Sequence, residues 1–252
     1  MRIFILTLLS LFVFNLPAMA QTETYVPTTW TNLARAIWHF DGADAAAVPA
    51  IDTMLRITEC GIVKKYATDD FAWNDIRSSM RKVIATGKSR WPATVRFTQA
   101  VNLEAYDFAS FSFPITADTD WDKVTRMQIA ANDIRQENAC SLDIKDSDLK
   151  LLPSAASVRL DQAFTLKTVG VLKEVAEKFV AQYPQMNGVR RAYVTFYVTL
   201  DDLLEIRDNG NDPYQPYMAE FRGRIDKIEV HADLQRQKPL FIPAMPPRHS
   251  GY

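Results

Sequence analysis

The chain has 252 residues, 29 of them basic and 30 acidic, for a net charge of −1 with histidines neutral. That length buries a core without help from metals, and the near-balanced charge argues against bulk nucleic-acid binding, which needs a basic surface to displace phosphate counterions. With two cysteines and three histidines in the whole chain, no metal site and no cofactor are expected.

The first segment, MRIFILTLLSLFVFNLPAMA, places Arg2 before an apolar run from Ile3 to Leu16 and ends in Ala18-Met19-Ala20. These are the parts of a secretory signal peptide, because a membrane-spanning helix needs roughly 20 apolar residues and small residues stand at the cleavage position. Residues 1–20 are therefore expected to be removed, leaving Gln21 first and no cysteine for lipid attachment. No later segment approaches transmembrane length, which predicts an exported soluble protein, periplasmic or extracellular. In such an oxidising compartment Cys60 and Cys140 are candidates for one disulfide; two separate buried thiols are the alternative.

From Thr28 to Gly87 the apolar spacing is helical. Trp30, Leu33, Ala34, Ile37 and Trp38 form one face behind an N-cap at Thr28 or Thr29. Pro49 opens a second helix with Ile51, Met54 and Leu55 inward, which Gly61 is expected to interrupt. The third helix starts after Thr68 or Asp69 and carries Trp73, Ile76, Met80, Val83 and Ile84 along one stripe.

After Pro92 the period changes to two. Val95, Phe97, Val101 and Leu103 alternate with polar residues as a half-buried strand requires. The aromatics Tyr106, Phe108, Phe111 and Phe113 break phase near Ala109 and Ser110, and are expected to belong to the core. The segment from Thr116 to Ser157 is ambiguous: Val124, Met127, Ala131 and Ile134 fit a helix capped by Asp120, while Met127, Ile129 and Ala131 fit a strand. Val158, Leu160, Phe164 and Leu166 mark another strand. A helix with Leu172, Val175, Ala176, Phe179, Val180 and Tyr183 inward and a Glu174–Lys178 pair outside follows, and Pro184 stops it. In RRAYVTFYVTL the inward set is Ala192, Val194, Phe196, Val198 and Leu200, the pattern of a central strand with one face partly covered.

The last strand, FRGRIDKIEVH, has Phe221, Gly223 and Ile225 in one phase and Ile228, Val230 and Ala232 in the other. That slip predicts a β-bulge near Asp226 and Lys227. Its polar face then carries Arg222, Arg224, Lys227, Glu229 and His231, which reads first as a wet strand face with charges paired to a neighbour. Should the two last strands form a hairpin, Arg191, Arg222 and Arg224 would stand together, with Glu229 and His231 nearby, as a binding row for an anionic ligand.

Other chemistry-bearing patterns are missing: no His-Glu-x-x-His helix, Gly-x-Ser-x-Gly elbow, Gly-x-Gly-x-x-Gly turn or Walker loop occurs. The loop Asp208–Asp212 lacks the spacing of a calcium loop and reads as a turn. Asp69-Asp70 and Asp201-Asp202 read as helix or turn starts.

The expected fold is α+β, a helical N-terminal third followed by a largely antiparallel sheet with a packed helix. The expected organisation is one domain over 21–245, helical over 28–87 and mainly β over 93–242, with a disordered tail over 246–252. The favoured function is a non-enzymatic envelope or secreted protein that binds an envelope protein or an anionic ligand. The alternative is a hydrolase of an envelope polymer that uses scattered carboxylates such as Asp226 and Glu229 with His231.

Overall fold

A computed structural model describes residues 25–130, 140, 149–210 and 215–241. The expected signal segment, the tail and, in the Asp208–Asp212 loop, residues 211 and 212 lie outside the described residues. Among the described residues, five α-helices and nine strands make an α+β fold. Strand β1 (Val26–Pro27) is followed by α1 (Trp30–His39), α2 (Val48–Thr58), α3 (Cys60–Tyr66), α4 (Asp70–Gly87) and a 3-10 turn at Lys88–Arg90. The helical front expected from the sequence thus begins at Trp30, behind a short strand.

Helix α1 buries Trp30, Leu33, Ala34, Ile37 and Trp38, the stripe its spacing dictates. Thr29 caps it, accepting from the Asn32 amide at 3.2 Å. The break after α2 falls at Glu59 rather than at Gly61, so Gly61 sits inside α3. Helix α4 is tied to α2 by a two-pronged ion pair, Arg77 Nε and Nη2 donating to Asp52 at 2.7 and 2.6 Å. Asp69 caps α4, its Oδ1 accepting from the Phe71 and Ala72 amides at 3.1 Å each. Asp69→Ala should therefore lower stability by about 1 kcal/mol, read as a lower urea midpoint at unchanged slope.

The remaining elements are β2 (Thr94–Leu103), β3 (Ser112–Pro114), β4 (Trp121–Ala130), β5 (Ala155–Leu166), β6 (Thr168–Gly170), α5 (Lys173–Gln182), β7 (Arg190–Asp208), β8 (Tyr217–His231) and β9 (Pro239–Phe241). The main sheet runs in the order β1-β2-β7-β8-β5-β4, with β9 also on β8, and β3 pairs with β6 in a separate ribbon. It is mixed: β1–β2 and β5–β8 are parallel, the other pairs antiparallel. Within the ambiguous region after Thr116, Trp121–Ala130 is strand β4, whose Met127 and Ile129 are buried, while Ala131 and Ile134 lie outside the described residues.

Strand β7 is central, flanked by β2 and β8, and its inward residues Ala192, Val194, Phe196 and Val198 are fully buried. Phe196 is the hub of an aromatic cluster, with Phe97 and Trp121 each 5.2 Å away and Phe164 at 5.6 Å, centroid to centroid. Those contacts bring β4 and β5 over toward β2, where Gln99 Nε2 reaches the Gln128 carbonyl at 3.3 Å. Phe40, at the end of α1, meets Phe221 of β8 at 6.0 Å and so joins the helices to the same buried face. Gly223 is required there: a Cβ at this position would stand 2.4 Å from the Thr199 carbonyl oxygen.

Two expectations need correction. Phe108 and Phe111 are 66% and 58% exposed, because they sit at the turn joining residue 107 to β3 rather than in a strand facing the core; Phe113 alone of that set after the turn is fully buried. Helix α5 docks its Phe179 on Phe113, 5.5 Å away, and its outer pair is Lys173–Glu177 at 3.8 Å in place of Glu174–Lys178.

Cys60 and Cys140 form a disulfide with their Cα atoms 5.5 Å apart. The bond joins the start of α3 to the chain that follows β4.

Candidate binding face

Because side chains alternate along a strand, burying Phe196, Phe221 and Val158 on one side sends Tyr197, Glu220, Arg222 and Arg159 to the other. The bulge in β8 is where the sequence places it. Tyr197 pairs with Lys227 and Val198 with Ile225, which leaves Asp226 as the extra residue. The bulge restores the phase, so Ile228 and Val230 are buried while Lys227 and Glu229 join the polar face.

Asp226 accepts from Thr199 Oγ1 at 2.5 Å and from the Tyr25 hydroxyl at 3.2 Å, and Arg224 Nε stands 3.2 Å from its other oxygen. Arg224 also reaches Asp201 at 2.5 Å, and Arg222 reaches Asp202 at 3.5 Å. The Asp201-Asp202 pair therefore answers two arginines across the strand instead of starting a turn. Asp201 is the unpaired residue of a second register shift, between Leu200 and Asp202.

Glu229 is gathered by three neighbours. The Tyr197 hydroxyl donates to its Oε2 at 2.7 Å, Lys227 Nζ lies 2.5 Å from Oε1, and His231 Nε2 is 3.3 Å from Oε2. Burial pushes the Glu229 carboxyl up, but the bonds from Lys227 and Tyr197 more than reverse this and hold it below the ordinary glutamate value. Burial, then the bond to Glu229, raises the Tyr197 phenol. His231 is only 4% exposed, so its ring lies in the wall of the sheet.

The predicted arginine row does not assemble as expected. Arg191 stands in register with Asn102 of β2, eight positions along β7 from Thr199, the partner of Arg224. At about 3.3 Å per strand residue it lies roughly 26 Å from its expected companions.

A different arginine cluster forms around Glu220, a residue not singled out from the sequence. Its Oε1 accepts from Arg126 Nη2 at 2.9 Å and from Arg159 Nε and Nη2 at 2.9 and 2.7 Å. Arg207 Nε approaches Oε2 at 3.3 Å without hydrogen-bond alignment. The Glu220 side chain is 1% exposed, whereas those of Arg126 and Arg159 are 43% and 54% exposed. Burial raises the Glu220 carboxyl, and the bonds and charges of Arg159 and Arg126 outweigh it, leaving it below the ordinary value.

Among the described residues no cluster of three or more potential metal ligands occurs. No described helix is long and apolar enough to cross a membrane. The sequence also contains Ser79-Met80-Arg81-Lys82, a Ser-x-x-Lys spacing. On α4 the Ser79 hydroxyl simply donates to the Asp75 carbonyl, 3.0 Å away.

A family model described as a domain of unknown function (DUF4852) matches residues 48–182, more than half of the chain. The chain belongs to this family. The DUF4852 match runs from α2 to the end of α5 and takes in both cysteines, Arg126 and Arg159. Arg191, Arg207, Glu220, Arg222, Arg224, Glu229 and His231 follow it. No curated protein and no solved structure matches the chain.

Proposed function

We propose that this is an exported, non-enzymatic envelope or secreted protein that binds an anionic partner on the polar face of its sheet. The observation that carries this reading is the state of the charged side chains from Arg222 to Glu229. Among them Arg222, Arg224 and Lys227 stand about half exposed on β8, the two arginines each held by an aspartate of β7 and Lys227 by Glu229 of its own strand. Guanidinium groups held in this way retain outward donors for a carboxylate or phosphate at little further entropy cost. The disulfide suits an oxidising compartment, as does the apolar segment that opens the chain.

Arg222→Gln/Arg224→Gln should reduce recovery of envelope material in a pull-down with the fold intact by circular dichroism. Equal recovery would remove these arginines from the binding surface.

The hydrolase alternative draws on one contact, His231 Nε2 beside Glu229 Oε2. It is the weaker reading, because a 4% exposed imidazole cannot touch a polymer substrate without a rearrangement. Turnover of a peptidoglycan or glycan substrate that is lost in Glu229→Gln would reverse this preference.

A further inference from the structure

The geometry points to a phosphate-binding row that crosses the sheet at Arg126, Arg159 and Arg222. It rests on the binding reading above and names a ligand class and a set of residues for it. Arg126 of β4 is in register with Arg159 of β5, and Arg159 with Arg222 of β8. Neighbouring strands are about 4.8 Å apart, so three guanidinium stems start within roughly 10 Å of one another on one face.

Like charges placed directly opposite across strands destabilise a sheet. Here the fold sets one buried carboxylate, Glu220, beneath the row and Asp202 at its end. Arg207, Glu205 and, two residues beyond Arg159 on β5, Asp161 share the face, so four positive charges meet four negative ones. The side chains of Arg126, Arg159 and Arg222 nevertheless remain 43%, 54% and 50% exposed.

Donor arithmetic favours an added oxyanion. Each guanidinium has five N–H donors. Glu220 takes one from Arg126 and two from Arg159. A second, independent sign is Ser157, in register with Glu220 and two residues before Arg159 on the same strand face. Its hydroxyl is fully buried and has no hydrogen-bond partner, although buried polar groups are ordinarily satisfied. A carboxylate presents two oxygens in one plane, whereas a tetrahedral phosphate spreads its oxygens toward two or three guanidinium groups from different directions. The row therefore suits a phosphate group, whether on a soluble ester or on a lipid headgroup.

The test uses the mature protein with two probes: inorganic pyrophosphate by calorimetry, and phosphatidylcholine vesicles with and without phosphatidylglycerol by co-sedimentation. Wild type should bind one or both, more weakly as salt rises. Pyrophosphate alone would indicate a soluble ester, and anionic vesicles alone a headgroup. Arg126→Gln/Arg159→Gln should weaken binding about tenfold to a hundredfold, the worth of one or two charge-assisted bonds. Arg191→Gln, far from the row, should leave it unchanged. Arg126→Lys/Arg159→Lys keeps the charges that neutralise Glu220 but removes the forks, and should also bind more weakly while melting near wild type.

Wild-type affinity in both double variants would overturn the row. A wild type that recovers envelope material yet ignores both probes would overturn the phosphate class and leave the binding reading standing. Recovery of nothing in either experiment would overturn both.

Discussion

Reduction of the Cys60–Cys140 bond, or its replacement by Cys60→Ser/Cys140→Ser, is expected to lower the free energy of unfolding by about 4–5 kcal/mol. The figure follows from the sequence separation of 80 residues, through the conformational freedom that the bond withholds from the unfolded chain. For a domain of this size the midpoint should fall by roughly 9–18 °C. The measurement is a thermal melt with and without reductant, checked by urea denaturation. A steeper urea slope in the reduced form is part of the expectation, because an uncrosslinked unfolded chain exposes more surface. A shift of under about 1 kcal/mol would mean that the unfolded chain is already held compact without the bond.

Glu220→Gln should cost about 3 kcal/mol. That is the low end for breaking a buried ion pair, because the guanidinium groups themselves reach water. The substitution removes the one negative charge shared by Arg126, Arg159 and Arg207 and keeps the side-chain size, so the loss reads charge rather than packing. Its pH dependence separates this from a general weakening. The folded Glu220 carboxyl is held below its ordinary value, so its contribution is fully present above the unfolded glutamate value of about 4.3 and is lost as pH falls through the lower folded value. The stability gap between wild type and Glu220→Gln should be constant above about pH 5 and close at more acid pH. Glu229 is depressed in the same direction and adds to acid sensitivity in both proteins. A gap that persists undiminished at low pH would assign the loss to something other than the Glu220 charge.

Much of the architecture was legible because strand and helix periods are local. The faces of α1 and β7 follow from spacing alone, and the phase slip between Ile225 and Ile228 located the bulge at Asp226. The segment after Thr116 was not legible, because Val124, Met127 and Ile129 satisfy both periods and only pairing with β5 decides between them. The arginine cluster was hidden for a different reason. Arg126 and Arg159 are 94 and 61 residues from Glu220, and their meeting depends on strand order, which periodicity does not encode. Arg191 misled for the same reason: its identity fits an anion site, but its distance along β7 removes it. The one local hint was Glu220 itself, an acidic residue within the buried run Met218 to Phe221.

The strand order also determines how the molecule must be put together. The cross-link between residues 60 and 140 encloses β2 and β4, while β5, β7 and β8, which lie between those two strands in the sheet, belong to the chain outside it. The covalent ring thus supplies the two flanks of a frame whose centre is filled last, by the later half of the sequence. Until β7 pairs with β2 and β5 with β4, those two flanking strands have open inner hydrogen-bonding edges, the state in which strands pair with the wrong molecule. Assembly is consequently dominated by distant contacts, and folding should be slow and vulnerable until the C-terminal ribbon arrives.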